Sequence, residues 1–586
     1  MHSTRQRGSP HGRSRPPVDT VAAAACLLTL VLAGRAASAP PDPPFRLVNE
    51  AEARGVSFVQ TNFATETKFP FETMGGAVAA LDYDRDGWVD LLFLNGAPSP
   101  GHVRSDPASF NRLYRNAGGG RFVDVTAESG LSGAGVKGYP QGVAVGDYDN
   151  DGFPDVLVTN YGDNVLYHND GNGRFSDATA RAGIALPRHP FKASAAFLDY
   201  DNDGWLDLFV THYFQWTFAE NTDTWCGRRE KGYRTYCDPD VFKPLPNALL
   251  RNNRDGTFTD VSEQAGLLTA LGKGMGVAVA DYDGDGRMDV FVANDRMPHF
   301  LYRNGKDGRF SEVAWDTGVA ANESGAMVSG MGCDFKDVDD DGHPDVFLTD
   351  LVRDVFTLFV NEGKGTFADR TFASGIGAAS VARSGWSTKL LDVDGDGRKD
   401  VFTAGSHVVD NVTLYNPTAK YEEGCFLFRN AGDGRFEDLS ERVGPDILEP
   451  GAWRGVAAAD LDNDGTLELV VSRLNGKAAL FVKRGGAPHN WILLELEGTR
   501  SNRDGIGARI RLVLPSGRSF HEHVTTANGI YSASERRVHF GLGAEAEIAY
   551  VEIAWPSGTL QRVDKPQPNR VLRVVEPLAA AQAAGR

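Results

Sequence analysis

Along most of the chain, short apolar runs alternate with short acidic ones. GGAVAALDYD at 75–84, GVAVGDYD at 142–149, ASAAFLDYD at 193–201 and GMGVAVADYD at 274–283 each run into an aspartate cluster, and β-rich runs (DLLFLN, DVLVTN, DLFVTH, DVFVAN) follow it. Apolar runs of this length, rich in Val and Phe and bounded by turn residues, predict strands, so each acidic segment joins two strands as a hairpin turn. Two further signals recur downstream. One is LYRN at 113–116 with its variants at 166–169, 249–252, 301–304, 358–361 and 427–430; the other is Gly-x-Phe ending on Phe122, Phe175, Phe258, Phe310, Phe367 and Phe436. From each of those Phe residues to the next acidic segment there are 23 to 27 residues. A four-strand unit repeated seven times predicts an all-β chain, a seven-bladed β-propeller over 40–486. The seventh unit lacks its Gly-x-Phe strand, and Phe45-Arg-Leu-Val-Asn-Glu matches Phe122-Val-Asp-Val-Thr-Ala. The start of the propeller segment can therefore supply the missing outer strand and lock the ring, an exchange that an open solenoid would not need. Alternating runs WILLELEG, ARIRLVL, YVEIAW and RVLRVV predict a small β-sandwich-like domain at 487–576, with a flexible Ala-rich tail at 577–586.

The acids are spaced for a purpose. The pattern D-x-D-x-D-G-x-x-D occurs as Asp82/Asp84/Asp86/Asp90, Asp147/Asp149/Asp151/Asp155, Asp199/Asp201/Asp203/Asp207 and Asp281/Asp283/Asp285/Asp289. It continues as Asp337/Asp339/Asp341/Asp345, Asp392/Asp394/Asp396/Asp400 and, ending in Glu, Asp460/Asp462/Asp464/Glu468. Hard cations such as Ca²⁺ take six to eight oxygens at about 2.3–2.6 Å, and loop carboxylates at positions 1, 3 and 5 can converge on one ion. The glycine at position 6 permits the sharp turn, position 7 offers a carbonyl, and the acid at position 9 closes the sphere. The flanking helices and twelfth-position Glu of an EF-hand are missing. The expectation is up to seven Ca²⁺ ions acting as fixed staples of hairpin turns rather than as a switch, because every unit has one.

Composition narrows the function. The chain has 60 Lys+Arg against 78 Asp+Glu and a net charge of −18, which speaks against a nucleic-acid partner, since phosphate contacts need clustered Lys and Arg. Arg5, Arg7, Arg13 and Arg15, an apolar run from Val21 to Gly34 and the exit Ala36-Ala37-Ser38-Ala39 predict a cleaved signal peptide at 1–39. That run is shorter than the roughly 20 residues needed to span a bilayer, so no stable membrane insertion is expected. A secreted, periplasmic or cell-surface monomer follows. Among five cysteines, Cys226 and Cys237 flank one short loop and can pair in an oxidising compartment, while Cys333 falls in an inner strand as an apolar filler.

The acidic repeats resemble FG-GAP/VCBS-type repeats, the kind found in integrin α-subunit propellers. His489-Asn-Trp491, Gly498-Thr-Arg-Ser-Asn-Arg-Asp-Gly-Ile-Gly507, His539-Phe-Gly-Leu-Gly543 and Trp555-Pro-Ser-Gly558 resemble the ASPIC/UnbV domain. Together they are similar to the cartilage-acidic-protein-like family. That resemblance implies a secreted, calcium-binding protein of matrix or adhesion settings and transfers no catalytic residue.

Function is expected to be extracellular binding or adhesion to a glycan or protein partner, without enzymatic activity: no G-x-S-x-G elbow, H-E-x-x-H helix or Walker loop is present. The alternatives are a carbohydrate-active hydrolase or lyase on the same scaffold, or an accessory protein of an exported complex. The loops between second and third strands form the face opposite the acidic turns and are the expected ligand surface. Its candidates are Asn160, Tyr161, His212, Tyr213, Trp216, Asn294, Asp295, His299, Asp350, Arg353, His407, Arg473 and Asn475. An aromatic insertion from Thr211 to Asn247 is either a partner-binding arm or a lid. His521 and His523 share a strand face, where an exposed polar strand is a simpler reading than a metal pair.

Overall fold

A computed structural model describes residues 45–578, apart from 187–188, 222–223, 231 and 528. The expected signal peptide and most of the expected tail lie outside the described residues. Seven antiparallel sheets carry the repeats. Their inner strands are Val78–Leu81, Tyr139–Gly146, Lys192–Leu198, Gly274–Ala280, Cys333–Lys336, Gly385–Leu391 and Ala452–Ala459. Each inner strand touches the next, and the last touches the first, so the sheets form a closed seven-bladed propeller. Blade 7 is completed by Phe45–Asn49, which pairs antiparallel with Ala479–Gly485, but two residues out of the expected register: Leu47, not Phe45, lies opposite Lys483 as Phe122 lies opposite Asn116 in blade 1.

Two devices hold neighbouring blades together. Small residues let inner strands approach: a Cβ on Gly276 would lie 2.6 Å from the Met331 carbonyl, and one on Gly332 would lie 2.3 Å from that of Trp386. Second-strand hydroxyls then reach the following blade, Thr159 Oγ1 donating to Ala193 O at 2.8 Å and Thr211 Oγ1 to Met275 O at 3.2 Å. Glycine and threonine are used here because each bond forms where a larger side chain would push the backbones apart.

The C-terminal strands form two sheets. Asn490–Glu497 lies between Val538–Gly543 and Val571–Val575, while Arg509–Val513 and Tyr550–Ala554 sit between Ser519–His523 and Leu560–Asp564. Alternate residues of both sheets, among them Leu494, Leu512, Phe540 and Ile553, share one core. Between them the chain makes an excursion that the sequence pattern did not announce. Ser532–Ala533 pairs in parallel with Val78–Ala79 of the first inner strand. The surrounding residues thread the propeller axis. Thr526 Oγ1 donates to Val145 O at 2.7 Å, Gly529 N to Cys333 O at 2.6 Å, and Asp460 N to Glu535 Oε1 at 2.6 Å. Tyr531 is fully buried, 5.9 Å from the Trp386 ring. The central channel therefore carries a plug from the C-terminal domain.

Candidate metal centres

Each acidic loop is folded by its own carboxylates. In loop 1, Asp82 accepts from Asp86 N (3.1 Å) and Gly87 N (2.9 Å), and Asp86 accepts from Trp88 N (3.0 Å). Gly87 has φ +88°, a left-handed turn that only glycine makes without strain. Asp90 ties the loop to the sheet: Oδ2 accepts from Tyr83 N at 3.1 Å and Oδ1 from Asn116 N at 2.7 Å. The same two bonds recur at Asp155, Asp207, Asp289, Asp345 and Asp400. In loop 7, Glu468 accepts from Leu461 N at 2.9 Å.

The asparagine closing LYRN has a role that its recurrence alone did not show. Asn252 Nδ2 donates to Leu206 O in its own blade (2.9 Å) and to Tyr148 O in the preceding one (2.7 Å). Asn116, Asn169, Asn304, Asn361 and Asn430 do the same, each from beside an acidic loop. Loop geometry and blade-to-blade contact are thus one network. Lys483 stands at the corresponding place in blade 7.

The structure brings predicted acids together. Carboxylate oxygens of Asp82, Asp84 and Asp90 lie within 4.8 Å of one another, as do those of Asp147/Asp149/Asp151, Asp199/Asp201/Asp203 and Asp281/Asp283/Asp285. Oxygens around one Ca²⁺ at about 2.4 Å can be at most about 4.8 Å apart, so this spacing suits the ion. A second observation is independent of spacing. Asp84 Oδ1 and Asp201 Oδ1, both at position 3, are buried without a hydrogen-bond partner. A buried carboxylate oxygen without a donor is costly, and a cation satisfies it. Burial pushes Asp90 up to about 9, Asp199 and Asp392 to about 7 and Asp82 to about 6; burial with the neighbouring Asp504 lifts Asp147 to about 9. A dication would reverse these shifts by favouring the ionised form. In loop 2, His168 lies 3.2 Å from Asp155 and 3.4 Å from Asp149, a neighbour that the repeat pattern does not announce.

The later loops repeat the same turn chemistry, in which the position-5 acid of every loop accepts from the backbone N–H two residues on. In loop 5, Asp337 accepts from Gly342 N at 2.8 Å and Asp339 is pushed up to about 6 by burial, but Asp341 is exposed and gives one oxygen to its own turn, accepting from His343 N at 2.8 Å. Asp464 of loop 7 is exposed in the same way and accepts from Thr466 N at 2.8 Å. In loop 6, Asp394 and Asp396 are both paired with Arg429, and Asp396 also with Arg398 at 3.0 Å. Arg115 and Arg251 hold the position 3 and 5 acids of loops 1 and 3 as Arg429 holds those of loop 6. Positions 3 and 5 lie towards the rim of the turn, where a backbone N–H two residues on or a guanidinium from the third strand competes with a metal for the same oxygens.

The acidic face is covered. Asp147 N donates to Asp504 Oδ2 at 2.8 Å, Arg509 pairs with Asp281 at 2.8 Å, and Arg537 donates to Asn463 Oδ1 at 2.7 Å. The C-terminal domain docks on the turns that the acids shape. A cavity of about 540 Å³ remains between loops 4 and 5 and this domain, lined by Arg509, Arg511, His521, Glu552 and Arg562 among others. His521 and His523 are both in hydrogen bonds, with Ser519 Oγ and Val279 O.

Family models match this architecture. FG-GAP-like repeats match at 82–158, 147–210, 238–292, 281–348, 337–403 and 392–471, more than half of the chain, and "ASPIC and UnbV" matches 498–581. The chain belongs to the FG-GAP-like repeat family, with an ASPIC and UnbV segment at its C-terminal end. Human cartilage acidic protein 1 is 28% identical over 523 residues, covering 85% of this chain and 72% of that protein. The Xenopus tropicalis protein of the same name is 26% identical over 329 residues, 55% of this chain, and the match spans only 47% of the frog protein. Among solved structures, the BP39L lectin from Burkholderia pseudomallei overlaps 71% of this chain and 97% of its own at 13% identity and TM-score 0.42, too loose an overlap to carry an inference.

The expected ligand ring of this FG-GAP-like propeller is placed differently. Asn160, Tyr161, His212, Tyr213, Trp216, Asn294, Asp295, His299 and Asp350 are buried, while Arg353 and Asn475 are exposed and His407 and Arg473 half-buried. Asn160, Asn294 and His299 are held in hydrogen bonds within their own blade turns, while the insertion lies across part of this face as a lid. Its cysteines Cys226 and Cys237 are disulfide-bonded, Trp216 packs on Phe71, and Asn411 and Tyr415 of blade 6 bond to the carbonyls of Arg234 and Tyr233. Cys333 and Cys425 are free and buried. Among the described residues no helix is long and apolar enough to cross a membrane.

Proposed function

We propose that this FG-GAP-like protein is an exported, calcium-loaded propeller that binds an extracellular glycan or protein and performs no catalysis. The observation that carries the calcium is the set of buried position-3 oxygens that no protein donor reaches, Asp84 Oδ1 and Asp201 Oδ1, beside acids already gathered at ion spacing. The ions act as staples: each loop they fix also holds the interblade asparagine bonds and the platform for the C-terminal domain. In loop 6 the half-exposed Arg429 gives way to the ion, releasing Asp394 and Asp396 to it. Binding is favoured over turnover by the blocked axis, which the plug fills from the acidic face up to Tyr531 and the insertion covers from the opposite face. The Cys226–Cys237 disulfide suits an oxidising compartment, and curated relatives are named for cartilage.

The test is capture of surface and matrix components on the immobilised chain, in calcium and in EDTA, with identification by mass spectrometry. A glycan or protein retained in calcium and released by EDTA is expected. A folded, metal-loaded chain that retains nothing but cleaves a polysaccharide would overturn the reading.

A further inference from the structure

The seventh acidic loop differs from the other six in a way that changes its ligand. Arg54 lies in the turn that leaves the outer strand Phe45–Asn49. Its carbonyl accepts from Phe122 N at 2.7 Å, as the carbonyls of Ala265 and Ser374 accept from Phe310 N and Phe436 N at 2.8 Å. Those turns carry small side chains and a further one carries Val443, all uncharged, where this one carries a guanidinium. Arg54 Nη2 lies 3.0 Å from Asp462 Oδ2 (position 3) and 3.9 Å from Glu468 Oε1 (position 9), and Nε bonds Glu50 Oε2 at 3.1 Å.

Arginines also approach other loops, but differently. Arg115, Arg251 and Arg429 pair with position 3 and 5 carboxylates from the solvent side, their side chains 46%, 46% and 34% exposed. Such a side chain can swing into water when a cation arrives. Arg54 is 9% exposed, is fixed by Glu50 and sits under Gly120, where a Cβ would lie 2.0 Å from Nη1. It has nowhere to go. Asp462 Oδ1 is unpartnered like its counterparts in loops 1 and 3, but here the adjacent Arg54 Nη1 is an unpartnered buried donor as well. Closure of the pair into a two-pronged contact satisfies both atoms without a metal. A dication would instead be held against a trapped positive charge. Position 9 fits the same picture: where the other loops use Asp with both oxygens on backbone N–H groups, Glu468 has one oxygen on Leu461 N and the other turned towards Arg54.

We infer that loop 7 holds no metal ion and that the Arg54 guanidinium takes the cation's place, so the propeller carries calcium in six loops and an internal ion pair in the seventh. The inference rests on calcium filling the other loops, and the test separates the two. Calcium per chain is measured by inductively coupled plasma mass spectrometry after equilibrium dialysis of the full protein and three variants. Asp84→Asn should lose about one ion. Asp462→Asn should lose none, and Arg54→Ser, which restores a small residue such as Ala265 and Ser374, should gain one. Loss of an ion in Asp462→Asn, or a folded Arg54→Ser chain with the parent's content, overturns the inference. No loss in Asp84→Asn would instead overturn the calcium reading itself. Should Arg54→Ser fail to fold, Asp462→Asn still decides.

Discussion

Removing calcium should lower the melting temperature by several degrees, and the size can be worked out. Ligands that bind only the folded state stabilise it by RT ln(1 + [L]/Kd). With about 2 mM calcium and dissociation constants of roughly 10⁻⁴–10⁻³ M, usual for extracellular modules, each site contributes about 0.7–1.8 kcal/mol. Six sites give about 4–11 kcal/mol. A cooperative unit of roughly 530 residues has an unfolding entropy near 1.1 kcal/mol/K, so the shift is about 4–10 °C. Differential scanning calorimetry in calcium and in excess EDTA measures it, with magnesium as a control for ionic strength. A shift below about 1 °C in a chain that gives up its metal would refute the idea that the ions hold the turns.

Three further outcomes are expected. Without calcium, stability should fall as pH rises: burial holds Asp90 and Asp147 up at about 9, so their contribution is complete below the unfolded carboxylate range and is lost on the way to pH 9. Melts in EDTA between pH 5 and 8 check this, and calcium should flatten the slope. Asn252→Ala leaves the buried Leu206 and Tyr148 carbonyls unpaired and should cost about 3 kcal/mol, read as a fall of about 3 °C in the calorimeter. Tyr531→Ala removes the largest plug side chain and should cost about 3–5 kcal/mol, with faster proteolysis of the C-terminal domain; unchanged cleavage would mean the plug does not anchor that domain.

Sequence carried the fold far because the repeats are local. Acids at alternate positions, the following glycine and the β-rich flanks sit within nine or ten residues, and the strand-like segment at Phe45 exposed the ring closure, though Leu47 rather than Phe45 takes the place of Phe122. What stayed hidden depends on distant partners. Ser532–Ala533 is too short for any periodicity, and its partner strand begins at Val78. Arg54 meets Asp462 across 408 residues, so nothing near either one marks the pair. Spacing marks Asp394 and Asp396 as it marks Asp84 and Asp86, and the hold of Arg429 on the first pair and of Arg115 on the second shows only when the third strand is folded back beside the turn. The aromatic and amide residues chosen as a ligand ring carry the same local signature whether they face solvent or pack under a lid. The path of the Thr211–Asn247 insertion and the turn bonds around Asn160 and Asn294 decide that, and hydropathy encodes neither. Recurring Asn in LYRN was visible, but its bond to the preceding blade requires the ring.

The most direct measurement is the metal content of the exported protein purified without chelators or added calcium. Calcium at about six equivalents per chain, with transition metals at trace level, is the predicted result. A folded chain that holds no calcium, and takes none up on dialysis against millimolar calcium, would contradict the account at its centre.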